Sequence, residues 1–162
     1  MQITILKSKD LNSKIKKKIF SLKKQSWKFN ISEQKKWFIK NIGKNDQHIL
    51  LEIKNKLIGY NCLRFNKIGL IKYFLLDTII VDTNYRFKDI GSLLILYNKI
   101  LSELNNYYIF LKSNTQTKKF YIKNNFRIIS KNHAELFFLY GKKINKITTN
   151  KILKHAKVKH SK

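Results

Sequence analysis

Proline is absent from these 162 residues, cysteine occurs once and glycine five times. The lone Cys62 excludes an internal disulfide and any cysteine-based zinc cluster, and it fits a reducing compartment. Direct chemistry on Cys62 is not expected either; it reads as a small core residue. No run of about 18 apolar residues occurs, so no membrane span is expected. The start, MQITILKSKD, is too short and too quickly charged for a signal peptide, which makes a cytoplasmic soluble protein the expectation. His48 and His133 lack metal-ligand spacing with any other His, Cys or acid, so they read as ordinary surface or rim residues and no metal site is expected.

Acidic residues are also scarce. Nine of them face 35 basic ones, a formal charge of +26, and a field of that sign attracts polyanions. Only three of the basic residues are arginine (Arg64, Arg86, Arg127), although arginine is the preferred side chain for bidentate phosphate and base contacts. Abundant Lys, Asn and Ile without Pro look like the imprint of a genome rich in adenine and thymine. The densest basic run, Lys142 to Lys162, carries eight lysines in 21 residues and reads as a solvated or frayed tail.

What remains is strongly patterned. Residues 2 to 6 alternate as a first strand. Leu11, Ile15, Ile19 and Leu22 then mark one helical stripe with Asp10 as cap, and SEQKKWFIKNIG offers a second helix with Ser32 as N-cap. After Gly43 the period falls to about 2. HILLEI and KLIGYNCLRF are strands joined by KNK, and the nearly continuous apolar run Tyr73 to Val81 suits the centre of a sheet. A helix follows from Gly91, then the strand YYIFLKS, a short helix in NTQTKKFYIKNN, and the strands FRIIS and ELFFLYGKK. One domain over residues 1–141, followed by a tail over 142–162, is the economical reading.

Between the central strand and its helix lies NYRFKDIGSLL. A strand, a tight turn and a helix start make an anion site, since the first helical amides lack internal partners and the dipole is positive there. Together with NTQTKKFYIKNNF further on, VDTNYRFKDIGSLL resembles the two motifs of the GNAT superfamily of acyl-CoA-dependent N-acyltransferases. Arg86, Asp89 and Gly91 take the three marked positions of the first motif, and Asn114, Tyr121 and Phe126 match the second. Asp89 and Asn125 stand where the family has glycine, and both are residue types that tolerate left-handed backbone. The resemblance spans roughly residues 1 to 140. It implies an α/β (α+β) fold with a mixed, mostly antiparallel twisted sheet of about six or seven strands and about four helices on both faces.

It also implies direct acetyl transfer from acetyl-CoA to a primary amine. The amides of Arg86, Phe87, Lys88, Asp89, Ile90, Gly91 and Ser92 would hold the pyrophosphate. The edge of Ile79, Ile80 and Val81 would pair with the pantetheine arm, and Asn114 would bond to it. Tyr121 would be the general acid for the leaving thiolate. For the base, strand alternation places Asp77 on the face of Ile79 and Val81, with Glu52 and Asp82 as second and third choices. Pairing with a lysine or capping a turn is the competing role for Asp77.

The acceptor, an amino sugar or sugar nucleotide, another small amine, or a protein or aminoacyl amine, would enter by Trp27 to Ser32 and by Lys131 to Glu135. The positive field favours amines attached to anionic groups over polyamines and aminoglycosides. Two alternatives stay open, a basic module binding RNA or another polyanion, and a degenerate GNAT-like partner domain; monomer and homodimer are equally open.

Overall fold

The computed structural model describes residues 1–132 and 135–160, so His133 and part of the expected Lys131–Glu135 wall lie outside the described residues. The strands are β1 (Gln2–Lys7), β2 (Gln47–Ile53), β3 (Lys56–Ile68), β4 (Ile71–Val81), β5 (Tyr108–Asn114), β6 (Arg127–Asn132) and β7 (Glu135–Tyr140). The helices are α1 (Ser13–Lys24), α2 (Ile31–Asn41), α3 (Ile90–Asn105), α4 (Lys118–Lys123) and α5 (Lys146–His160). The sheet order is β1-β2-β3-β4-β5-β7-β6. Pairing is antiparallel in β1/β2, β2/β3, β5/β7 and β6/β7 and parallel in β4/β5. The expected mixed, mostly antiparallel sheet is therefore present, with β4 in its middle. The fifth helix arises within residues 142–162, where α5 buries Ile152 and Ala156. Those two are four residues apart, one face of a helix whose lysines hide the stripe.

Two compact units make up the chain: Met1–Phe65 with Leu76–Tyr97, and Asn66–Leu75 with Asn98 onward. In the first unit both helix starts differ from the expected caps. Asn12, not Asp10, caps α1 by accepting from the Ile15 N–H at 2.9 Å, because Asp10 is taken up in a short 3-10 turn, Ser8–Asp10. Asn30, not Ser32, caps α2, and Glu33 returns a bond to the Asn30 N–H at 2.8 Å, a closed capping box. The β2–β3 turn is two residues long, and Lys54 and Asn55 both have positive φ, 48° and 63°, as a hairpin turn matched to the strand twist requires.

Ile19, Phe20, Leu22, Phe38, Leu50 and Tyr60 form the heart of this unit's core; burying each large apolar side chain stabilises by about 1.5–3 kcal/mol. Gly59 lets α3 approach β3. A Cβ there would lie 3.1 Å from Ile90 Cγ2 and 3.4 Å from Leu94 Cδ1. His48 corrects the sequence reading, being fully buried rather than on a rim. Its Nε2 shares a hydrogen bond with Ser8 Oγ at 2.7 Å and its Nδ1 one with Tyr60 Oη at 2.8 Å. Burial, reinforced by Lys23 and Lys16, lowers its pKa to about 4, so the ring is neutral at physiological pH. Cys62 is a core residue, as expected, and burial pushes its thiol far up.

In the second unit, Tyr73, Phe110, Phe137 and Leu139 pack with Ile152 and Ala156 of α5. Tyr73 Oη also shares a 2.8 Å hydrogen bond with His155 Nδ1, which ties α5 to β4. Two helix ends in this unit close alike. After α3, Asn106 (φ 53°) lets the Tyr107 N–H reach the Ser102 carbonyl; after α4, Asn125 (φ 62°) lets the Phe126 N–H reach that of Tyr121. With Asn106 N–H on Glu103 and Asn125 N–H on Ile122, both are Schellman motifs.

Candidate active site

In the first unit, Asp77, Ile79 and Val81 of β4 are half-buried while Thr78 and Ile80 between them are buried, which is the alternation the sequence implied. The described parallel ladder of β4 with β5 covers Tyr73–Leu75; Ile79–Val81 lie beyond it, toward the loop. Asp82 ends the strand. Its side chain is 1% exposed and meets Lys56 Nζ at 2.9 Å, the Asn84 N–H at 3.0 Å and Gln25 Nε2 at 3.3 Å. Burial raises the cost of its charge, but these donors outweigh it and hold the carboxyl below the usual range. Glu52 is similarly paired, with Lys18. Both acids, second and third choices for a base, are thus engaged in ion pairs.

Past a 3-10 turn at Thr83–Tyr85, Arg86 folds back, donating from Nη2 to Ser26 Oγ at 2.9 Å and from Nε to the Val81 carbonyl at 3.4 Å. Phe87 and Asp89 then take φ of 59° and 53°. Asp89 therefore adopts the left-handed backbone expected of it in a glycine position. Its carbonyl accepts from the Leu93 N–H at 2.9 Å, the first bond of α3. The amides of Ile90 and Gly91 precede that bond and have no acceptor inside the helix, the geometry that receives an anion. Gly91 itself lies in the first helical turn, where no unusual φ calls for a glycine. Phe87 is fully exposed. A non-glycine residue held at positive φ without packing to repay it stores about 1–3 kcal/mol of strain, and such strain gathers at binding sites.

Asp77 has partners: Arg64 Nη1 lies 3.1 Å from Oδ1, and the Thr78 hydroxyl donates to Oδ2 at 3.1 Å. The pairing role weighed for Asp77 is present, with an arginine in place of a lysine. Asp77 also lines a cavity of about 430 Å³ with Lys23, Trp27, Phe29, Gln34 and Trp37. Of the wall expected at Trp27 to Ser32, Trp27 and Phe29 border it. Lys23, Gln34 and Trp37 are additions that sequence reasoning missed. The available signal was the chain's only two tryptophans, Trp27 in the α1–α2 connection and Trp37 within α2.

The second unit brings Asn114 and Tyr121 into one neighbourhood. Asn114 Oδ1 accepts from the Thr117 N–H at 3.2 Å, capping the turn that leads into α4. Thr117 Oγ1 lies 2.6 Å from Ser113 Oγ. Tyr121 is 6% exposed, and its ring packs against Phe120, Phe126 and Phe138. Burial raises its phenol to about 12, opposed by a hydrogen bond with Ser113.

No protein-family model matches the sequence, and no curated protein does. Solved structures do match in three dimensions. The aminoglycoside 6'-N-acetyltransferase from Enterococcus faecium aligns with a TM-score of 0.70 at 12% identity, covering 90% of this chain and 100% of that one. The ribosomal-protein-S18-alanine N-acetyltransferase from Escherichia coli gives 0.68 at 14%, covering 89% and 96%. The PaiA N-acetyltransferase from Thermoplasma acidophilum, in complex with coenzyme A, gives 0.64 at 17%, covering 88% and 100%. The fold of this chain is that of the GNAT acetyltransferases.

Proposed function

We propose that the protein is an N-acetyltransferase that moves an acetyl group directly from acetyl-CoA to a primary amine. The observation that carries this reading is the Arg86–Ser92 loop, where left-handed Phe87 and Asp89 turn the chain so that the amides of Ile90 and Gly91 open α3. That is a preformed anion cradle at the position where the GNAT resemblance puts the pyrophosphate. Two neighbours crystallised with coenzyme A, one of them an aminoglycoside 6'-N-acetyltransferase, support the same reading.

The loop residues Arg86, Phe87, Lys88, Asp89, Ile90, Gly91 and Ser92 would bind the diphosphate, with Ile79–Val81 and Asn114 along the arm. Acetyl-CoA supplies an activated thioester. The amine nitrogen forms the new N–C bond as the C–S bond breaks, the amine gives up a proton and the thiolate takes one. Asp77, its oxygens steadied by Arg64 and Thr78, is assigned the first proton, directly or through water. Tyr121 is assigned to the sulfur. A phenol held near 12 stays protonated at neutral pH and can donate a hydrogen bond, whereas complete transfer to a thiolate of ordinary pKa, about 8.5, is uphill. Its role is therefore chiefly to stabilise the developing thiolate charge, and the released thiolate takes its proton from solvent.

The test is thermal stabilisation by acetyl-CoA, compared with CoA and with heparin, followed by free-thiol release across a panel of amines. Stabilisation by acetyl-CoA and amine-dependent thiol release are expected. Stabilisation by heparin alone would instead favour the polyanion-binding module that the +26 charge suggests.

A further inference from the structure

The cavity between α1, α2 and β4 holds two polar groups whose needs the protein itself leaves unmet. Lys23 is 9% exposed. Its ammonium lies 4.9 Å from the Trp37 ring centroid and 5.7 Å from that of Trp27, and it joins no ion pair among the described residues. Indole faces attract a cation but accept none of its three N–H donors in the way a carboxylate does. Burial consequently lowers its pKa, with Asp77 and Cys62 pulling the other way. Gln34 is 8% exposed; its Nε2 donates to the Phe29 carbonyl at 3.2 Å, but its Oε1 is buried without a hydrogen-bond partner. A buried orphan acceptor and a buried orphan cation each cost stability unless a ligand completes them.

The remaining charges in the cavity do not complete Lys23. Asp77 is occupied by Arg64 and Thr78, and Glu33 accepts from the Asn30 N–H in the capping box. Trp27, Phe29 and Trp37, partly exposed at 37%, 60% and 38%, supply broad aromatic walls. About 430 Å³ falls within the usual range for a small-molecule site. One buried cation suits at most a monoanion; Glu33, an exposed carboxylate that also lines the cavity, and walls this apolar both oppose a dianionic phosphate.

We infer that this cavity selects an acceptor of the amino-acid class, an amine that also carries a carboxylate and an apolar or aromatic body. The carboxylate meets Lys23, the body lies against Trp27 and Trp37, and the amine donates to Gln34 Oε1 and faces Asp77. This rests on the acetyl-transfer reading for the word acceptor, but the recognition can be measured without the acetyl donor.

The experiment is calorimetric titration of the full chain with L-phenylalanine, L-phenylalaninamide and 3-phenylpropionate, repeated for Lys23→Met and Lys23→Arg, with thiol release from acetyl-CoA measured in parallel. L-phenylalanine should bind about tenfold tighter than its amide, the worth of one charge-assisted hydrogen bond, and tighter than 3-phenylpropionate. Lys23→Met should remove the preference over the amide, and Lys23→Arg should keep most of it. Equal binding of acid and amide by the unaltered protein, persistence of the preference in Lys23→Met, or no binding by any of the three overturns the inference. Thiol release with amines but without the carboxylate preference overturns it alone. The preference without any thiol release leaves the inference standing and removes the acetyl-transfer reading.

Discussion

Asn125 and Asp89 have nearly the same backbone, φ of 62° and 53°, and stand at opposite ends of helices. At Asn125 the left-handed residue closes α4: the Asn125 and Phe126 amides both find carbonyls, and Phe126, 3% exposed, packs on the ring of Tyr121 at 5.7 Å. At Asp89 it opens α3, leaving amides ahead of the first helical bond and a fully exposed Phe87 beside them. The first turn uses up its hydrogen-bonding groups and buries an aromatic; the second keeps the Ile90 and Gly91 amides ahead of its first helical bond and leaves an aromatic exposed. One device therefore closes a helix in one place and opens one in the other, and the open end is the one proposed for ligand capture.

The largest effect should come from the closed turn. Phe126→Ala removes a buried ring and the hydrophobic half of the Schellman motif, and should cost about 3–5 kcal/mol in urea unfolding; a loss below 1 kcal/mol would mean the motif is not what anchors Tyr121. Next, Tyr121→Phe should lower kcat about 100-fold, the cost of one donor to developing charge, with acetyl-CoA affinity little changed. Unaltered turnover would take Tyr121 out of the mechanism.

Asn125→Ala should then cost about 1 kcal/mol of stability, because alanine pays to enter left-handed backbone, while Asn125→Gly should be within a few tenths of neutral. Smallest in stability is Asp89→Gly, a few tenths of a kcal/mol, yet it should tighten acetyl-CoA binding up to about fivefold at low salt by removing a like charge, a gain that fades as salt rises. If Asp89→Gly instead destabilises like Asn125→Ala and leaves binding untouched, the contrast between the two turns collapses.

How much of this was legible in the sequence follows from which forces are local. The strands, the β4–α3 loop and the left-handed character of Asp89 and Asn125 are written in short periods and in turn chemistry, and they read correctly. Helix caps are local too but degenerate: Asp10 and Asn12, or Asn30 and Ser32, have similar cap propensity, and only the chain path chose between them. Burial of His48 and Lys23 was not legible. Lys23 and Lys24 are adjacent in one lysine-rich stretch, yet Lys23 is buried and Lys24 exposed, because packing of α1 against distant residues decides which faces inward. The stripe of α5 was masked in the same way by the lysines around Ile152 and Ala156.

Gly59 draws a boundary around how this loop can change. Asp89 holds the left-handed backbone that a glycine would adopt at no steric cost, so the constraint in the loop is one of turn chemistry. At Gly59 the constraint is occupied volume instead: a Cβ there would lie 3.1 Å from Ile90 Cγ2 and 3.3 Å from Leu51 Cδ1, so these side chains would have to give by a few tenths of an ångström. A strand residue outside the loop thus limits how closely the start of α3 can pack on the sheet, a constraint of space where the loop's own constraint is one of backbone conformation.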